Sequence, residues 1–252
     1  MKTLTITNQK GGVGKTTVSL IIASGLVSKG YRVLSVDSDP QGNFTYSSGI
    51  EEHEYSLYEL LRGEKGINNV IRKSSQGYDL IPSSIELAKA DKEFVDTGKE
   101  YLLKEALTPI EREYDFCIID TPPTLSILTI NALTTASEVI VPMSTDIYSL
   151  TGLEQLYALF SKVRKYTNPS LRIGGIVLNK FNSRAIINRQ IKEKLENNSD
   201  RFETRVFKST IREGVLIKEI QFLKKNIFEE KTKSKVLEDC KNLIDEIIEG
   251  ER

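Results

Sequence analysis

Residues Asn8 through Thr17 read NQKGGVGKTT, a glycine-rich loop with a lysine at each end of its glycine run. The spacing is a relaxed form of Gly-x-x-x-x-Gly-Lys-Thr, with Lys10 where most such loops carry an unremarkable residue. The chemistry this predicts is the binding of a phosphate chain. Lys15 would reach the β- and γ-phosphates, and the Thr16 hydroxyl would take one position on Mg²⁺, the rest going to waters and phosphate oxygens. Lys10, Gly11, Gly12, Val13, Gly14, Lys15, Thr16 and Thr17 form the candidate nucleotide-binding set. A glycine-rich turn with an incidental lysine is the plainer alternative. Against it stands the joint occurrence of strand, glycines, Lys-Thr and helix in the order the motif requires.

Two further segments add carboxylates. The strand expected at Arg32 to Val36 runs into Asp37-Ser38-Asp39-Pro40-Gln41-Gly42-Asn43, and the one at Asp115 to Ile119 runs into Asp120-Thr121-Pro122-Pro123. The first brings two carboxylates to the phosphate edge, where one could position a water or help order Mg²⁺. The second is a Walker-B pattern, apolar strand residues followed by an aspartate that holds Mg²⁺ through water. Thr16, Asp37 and Asp120 are therefore the candidate metal residues. Asp and Pro at strand ends are ordinarily turn formers and helix caps; their succession after a phosphate loop gives them the functional reading.

These residues need elements to hold them. Thr3 to Thr7 alternates and is rich in β-branched residues, so it reads as a strand, while Thr16 to Ser28 places apolar side chains at helical spacing. Strand, tight loop and helix N-terminus leave backbone N–H groups converging where the helix dipole favours negative charge. Further strands are expected at Asp79 to Ile81, Glu138 to Pro142 and Arg172 to Leu178. Helices are expected at Ser83 to Val95, Glu100 to Ile110, Ser126 to Ala136, Leu150 to Tyr166, Ser183 to Asn198, Glu213 to Leu223 and Lys233 to Ile248. This alternation predicts an α/β fold of the P-loop NTPase kind, a mostly parallel twisted sheet with helices on both faces, spanning 1–252 as a single domain. Strands apolar throughout, such as CIID and VIVPM, suit a sheet covered on both sides. In such a sheet, ligands bind beyond the carboxyl ends of the strands, where the loops above lie.

A chain of 252 residues is ample for one large buried core. No run approaches the roughly 20 apolar residues of a membrane span, and a strand beginning almost at Met1 leaves no room for a signal peptide. Cys117, in an apolar strand, and Cys240, in a charged helix, offer neither metal-ligand spacing nor a disulfide pair. A cytoplasmic location is the economical expectation. Net charge is zero, but Phe160 to Lys235 holds 19 Lys and Arg against 8 Asp and Glu. That asymmetry suggests a surface facing a polyanion.

KGGVGKTT, DSDPQGN and DTPP together resemble the deviant-Walker ATPases, and within them the ParA/Soj family of plasmid and chromosome partitioning. The resemblance runs through nearly the whole chain, including YDLIPSSIELAKAD, VIVPMSTDIYSLTGLEQL and GGIVLNKF. With its motif starting at residue 8, the chain is similar to the short type without an N-terminal helix-turn-helix. The resemblance implies an ATPase using ATP and Mg²⁺, slow alone and stimulated by DNA and a ParB-like partner. ATP would lie in a sandwich homodimer, with Lys10 of each subunit reaching the phosphates held by the other. By the same resemblance Lys10, Lys15 and Asp39 are the catalytic set, Asp39 being needed for hydrolysis. Gly11 must stay small for the subunits to approach, Asp37 supports the Mg²⁺ shell, and Pro122 and Pro123 belong to a switch that senses the γ-phosphate. Asn179 and the segment Thr210 to Gly214, with Arg212, resemble base-contacting regions, although the family often has Asn where Gly214 stands.

For double-stranded DNA, bound without sequence preference by a nucleoid-associated dimer, Arg184 matches a family arginine. Arg189, Lys192 and Lys194 follow on a predicted helix, and Lys218, Lys224 and Lys225 lie in the next basic region. Leu216 stands where the family has a second arginine, with Lys218 as its substitute. Dimerisation would duplicate the patch and make DNA affinity follow nucleotide state. A solvated face with ordinary Lys/Glu pairing is the alternative. Two related classes compete. A MinD-type membrane ATPase would dock its C-terminal helix on lipid, but SKVLEDCKNLIDEIIEGER is acidic on its polar side, so no membrane is expected. Its stripe Val236, Leu237, Cys240, Leu243, Ile244 and Ile247 is expected to pack on the domain. An iron-protein type would need cysteines at strand ends for a shared cluster. A scaffold that binds nucleotide without turnover is the non-enzymatic alternative.

Overall fold

A computed structural model describes residues 1–146, 149–231 and 233–250. Ile147 and Tyr148, inside the quoted VIVPMSTDIYSLTGLEQL, lie outside the described residues, as do Thr232 and the final two residues. The strands are β1 Lys2–Ile6, β2 Val33–Asp37, β3 Arg72–Lys73, β4 Asp79–Ile81, β5 Phe116–Asp120, β6 Glu138–Met143 and β7 Arg172–Leu178. They form one sheet in the order β3-β4-β2-β5-β1-β6-β7, parallel except for the short edge strand β3 against β4.

The helices are α1 Lys15–Ser28, α2 Asn43–Ser47, α3 Leu57–Leu61, α4 Ile67–Val70, α5 Ala90–Glu93, α6 Leu102–Leu107, α7 Ile127–Thr135, α8 Ser149–Tyr166, α9 Ile186–Asn198, α10 Val215–Leu223 and α11 Lys235–Glu249. Alternation along β5 shows how they cover the sheet. Phe116 and Ile118 face a core shared with α1, α10 and α11, whereas Cys117 and Ile119 face one shared with α3, α6 and α7. A third core joins β6 and β7 to α8 and α9. The C-terminal stripe Val236, Leu237, Cys240, Leu243, Ile244 and Ile247 is buried in the first of these cores, as its spacing predicts. Gly25 makes that approach possible, because a Cβ there would collide with Ile244 and Phe228. No helix among the described residues is long and apolar enough to cross a membrane.

The longer expected elements are present with ends moved by a few residues, and the exceptions have local causes. The stretch expected as one helix from Ser83 to Val95 is a 3₁₀ turn at Ile85–Lys89 followed by α5. Around α6 the turns Lys99–Tyr101 and Thr108–Ile110 are also 3₁₀; Pro109, lacking an N–H, cannot continue the α pattern. α9 starts late because the Arg184 amide donates to Asn182 Oδ1 (3.1 Å), a local turn that competes with helix. The edge strand β3 and the helices α2, α3 and α4 have no counterpart among the expected elements.

Candidate functional site

The exits of β1, β2, β5, β6 and β7 converge at one edge of the sheet. After β1 the chain turns through Gly12 and Gly14, both at positive φ (75° and 91°), a conformation glycine adopts without a Cβ penalty. Cβ atoms built on Gly11 and Gly12 would meet nothing, so the loop faces open space, while one on Gly14 would run into the Asn179 amide. The loop is held from below: Asn8 Nδ2 donates to the Pro142 carbonyl (2.8 Å) and Asn179 Nδ2 to the Val13 carbonyl (2.9 Å). Lys180, at positive φ after β7, donates from Nζ to the Gly12 carbonyl (3.0 Å).

Helix α1 leaves this loop at Lys15, whose ammonium is buried beside Asp120 and Asp39. Burial lowers its pKa, and the two carboxylates act in the opposite direction. Thr16 Oγ1 donates to Asp120 Oδ2 (2.7 Å), and Ser19 Oγ, one turn on, donates to Asp120 Oδ1 (2.8 Å). A hydroxyl and a carboxylate in contact at a phosphate loop are the donor set that Mg²⁺ prefers. The electrostatics ask for a cation too. Asp120 is fully buried and its pKa is pushed up to about 6, chiefly by desolvation. Asp37, its register partner across β2 and β5, is pushed up to about 7 by burial and then by the Asp120 charge. A divalent ion near this pair would favour their ionised forms.

Asp37, expected at the metal, is engaged elsewhere. Its Oδ2 accepts from both the amide and the hydroxyl of Thr45 (2.7 Å each), and its Oδ1 accepts from the Asp39 amide (3.2 Å). With no exposed surface and both oxygens taken by the following loop, it anchors main chain. Asp39 stands at the rim, its Oδ1 accepting from the Gln41 amide (3.0 Å), and it shares a groove with Pro122 and Pro123. Lys10, at the exposed mouth, pairs with Asp146 beyond β6 (Nζ to Oδ2 2.5 Å).

Beside the loop a polar recess is lined by Lys180, Phe181, Asn182, Thr210, Arg212 and Asp239. It lies in the region the sequence assigns to the base, but two expected contacts have other work. Asn179 is buried under the phosphate loop. Arg212 is held by Asp239 of α11 through Nε (2.6 Å) and Nη2 (2.7 Å). Gly214 is extended, and a Cβ there would strike Val236. Of the basic residues, Arg184, Arg189, Lys194, Lys218 and Lys225 are exposed, and Lys192 is half-buried 3.8 Å from Glu196. Lys218 lies 3.5 Å from Glu213. Lys224 departs from the expected patch. Its ammonium is turned onto Glu51 and the ring of Tyr46. Leu216 packs on the core beneath α10.

Sequence reasoning passed over Asp146, Lys180, Ser19, Thr45 and Ser83. The strand-exit rule that singled out Asp37 and Asp120 would also have found Asp146 and Lys180. The hydroxyl residues carry no such signal.

A phosphate loop opening into a helix, with a Thr–Asp pair at its base and carboxylates at the exits of parallel strands, defines a P-loop nucleotide-binding protein. A family profile described as an AAA domain matches residues 1–173. The chain is 40% identical over 222 residues to the sporulation initiation inhibitor protein Soj of Bacillus subtilis, covering 86% of this chain and 87% of Soj. It is 37% identical over 234 residues to the chromosome partitioning protein ParA of Myxococcus xanthus, covering 91% of this chain and 82% of that protein. A solved structure named as cobyrinic acid a,c-diamide synthase from Mycobacterium smegmatis, with bound ATP analog and magnesium, is similar with a TM-score of 0.84 at 33% identity, covering 97% of this chain and 93% of that one. The chain belongs to the ParA/Soj family of partition ATPases.

Proposed function

We propose that this protein segregates DNA by an ATP-driven cycle, in which two subunits close around ATP and Mg²⁺, bind duplex without sequence preference, and let go after hydrolysis. The observation that carries this reading is Lys10: it sits at the exposed mouth of the loop, outside the cluster of buried Lys15, Asp120 and Asp39 and half-buried Thr16. A cation placed there serves phosphates presented by a facing copy, as an arginine finger does.

In each subunit Lys15 and the loop amides bind the triphosphate, and Thr16 and Asp120 hold the metal. Mg²⁺, when bound, screens the phosphate oxygens and neutralises charge developing in transfer. Asp39 orients the attacking water and takes up its proton. Turnover without a partner is slow, and a ParB-like protein raises it. The recess beside Lys180 takes the adenine, its backbone groups reading the base. Arg184, Arg189, Lys192, Lys218 and Lys225 form a basic surface that dimerisation doubles, whereas Lys224 adds little while Glu51 holds it. A cytoplasmic, nucleoid-bound life fits this cycle.

The test is DNA binding with ATP, a nonhydrolysable analogue, ADP and no nucleotide, at several salt concentrations, alongside light scattering for mass. Dimers and salt-sensitive DNA binding confined to the triphosphate states support the cycle. A monomer under saturating analogue and Mg²⁺, binding DNA equally in every state, overturns it.

A further inference from the structure

Asp39 is gripped on both sides of its Cα. Its amide donates to Asp37 Oδ1 (3.2 Å), and its carbonyl accepts from the hydroxyl of Ser83, just past β4. Those two anchors are themselves joined through Thr45 on α2. The Thr45 hydroxyl donates to Asp37 Oδ2 (2.7 Å) and accepts from the Ser83 amide (3.0 Å). A closed ring therefore runs Asp39, Asp37, Thr45, Ser83 and back to Asp39, and Asp37, Thr45 and Ser83 are all buried.

The ring has outer supports. Ser38 donates to the Asp120 carbonyl through both its amide (3.0 Å) and its hydroxyl (2.6 Å), tying the loop to β5. Behind Ser83, the Leu57 amide donates to the Pro82 carbonyl (2.8 Å), and His53 Nε2 lies 2.9 Å from the Ser83 carbonyl. Packing alone would be served by Val at 45 and Ala at 83. Without the Thr45 hydroxyl the buried Ser83 amide loses its acceptor, and without the Ser83 hydroxyl the Asp39 carbonyl keeps only the Gly42 amide (2.9 Å), a bond within its own turn, so the link from Asp39 to β4 is gone.

We propose that Asp37, Thr45 and Ser83 are positioning residues for hydrolysis, fixing the backbone of Asp39 so that its carboxylate meets the attacking water at the γ-phosphate. The inference rests on the role given to Asp39 above. Fixing the N–H and the C=O flanking one Cα pins its φ and ψ and leaves only side-chain rotation free. Near the reacting atoms, a shift of about 1 Å is enough to cost on the order of 100-fold in rate. Asp37 thereby works on the hydrolytic loop instead of on the metal.

The experiment measures single-turnover phosphate release with protein in excess over MgATP and duplex DNA present, together with affinity for a fluorescent ATP analogue and the thermal midpoint. Ser83→Ala and Thr45→Val should each lower the rate about 10-fold or more. Analogue affinity should stay within about twofold and Thr45→Ser should restore the rate. Adding Ser83→Ala to Asp39→Ala should cost nothing further, since residues acting as one unit are not additive. Wild-type rates in Ser83→Ala and Thr45→Val, with Asp39→Ala inactive, overturn the brace alone. So do rates that fall only in step with affinity and thermal midpoint. A wild-type rate in Asp39→Ala removes the role of Asp39 and the brace with it.

Discussion

Lys10 Nζ and Asp146 Oδ2 lie 2.5 Å apart, linking the phosphate loop after β1 to the segment after β6. Ser144 Oγ donates to the same carboxylate oxygen (2.8 Å). Both partners of the pair are partly exposed, and such pairs contribute only about 0–1 kcal/mol. The pair therefore parks Lys10 without locking it, and in the proposed cycle a facing triphosphate would outcompete one carboxylate. Asp146→Asn should lower the concentration of nonhydrolysable analogue needed for half-maximal dimerisation by roughly 2- to 5-fold, in keeping with the removal of a pair of that strength. Light scattering across an analogue titration measures this. An unchanged midpoint would mean that the pair places no tax on closure.

The loop lysines and Asp39 should fail in three different ways. Lys15→Ala removes the buried ammonium and should abolish binding of a fluorescent ATP analogue. Lys10→Ala leaves the buried cluster whole, so analogue binding should persist while dimer formation is lost. Asp39→Ala leaves binding and closure intact and should accumulate the DNA-bound dimer with hydrolysis down about 100-fold or more, the scale of a missing general base. Identical defects in all three would show that they unfold a common site.

Exposure decides which basic residues count toward DNA. Arg184 is exposed and no acidic side chain among the described residues pairs with it within the 4.0 Å of an ion pair, whereas Lys224 is engaged with Glu51. Arg184→Glu should weaken binding of duplexes of any sequence and flatten the plot of log affinity against log salt by about one unit for each phosphate no longer neutralised. Lys224→Gln should leave that slope alone. A reversed order in filter-binding or anisotropy titrations would relocate the patch to the α2 side of α10.

The parts readable from sequence are those whose residue types admit few alternatives. The loop needs glycine at 12 and 14 because its backbone turns left-handed there, and Lys15-Thr16 follows as a fixed pair. β5 and β6 read as strands because both faces are covered, so their apolar runs are uninterrupted. The short helices α2 and α3 escape any period, since they are held by burial of Phe44, Leu57 and Leu61 against distant residues. Asp37 and Asp39 are two apart on the same exit, and only the fold shows which one turns inward. Thr45 and Ser83 are common residue types, and they acquire meaning when β4 is laid beside β2. Lys224 reads in sequence as part of a basic stretch beside Lys225, and only its helix end, at positive φ, aims it at Glu51.

The paired carboxylates at the strand ends give the nucleotide-free protein a distinctive pH response. In the unfolded chain an aspartate titrates near 3.9, while burial pushes Asp37 up to about 7 and Asp120 up to about 6. Over that interval the folded protein keeps protons that the unfolded chain has shed. Their contribution to stability is full below about pH 4 and is lost as pH rises through the folded values. One such group alters stability by at most about 1.4 kcal/mol per pH unit. Asp37→Asn deletes one titration and also relieves Asp120 of a neighbouring charge, whereas Lys15, shifted by its own burial and by Asp120 and Asp39, is common to both proteins. The variant's stability relative to wild type should therefore climb between about pH 4.5 and 7.5, whatever constant offset the altered hydrogen bonds to Thr45 introduce. Urea unfolding at a series of pH values without nucleotide reads this difference directly. Parallel profiles for the two proteins would mean that Asp37 is already ionised across the range and that the pair shares no proton. Saturating Mg²⁺ and ATP analogue should flatten the wild-type slope, because a cation beside Asp120 lowers the pH at which the buried carboxylates ionise.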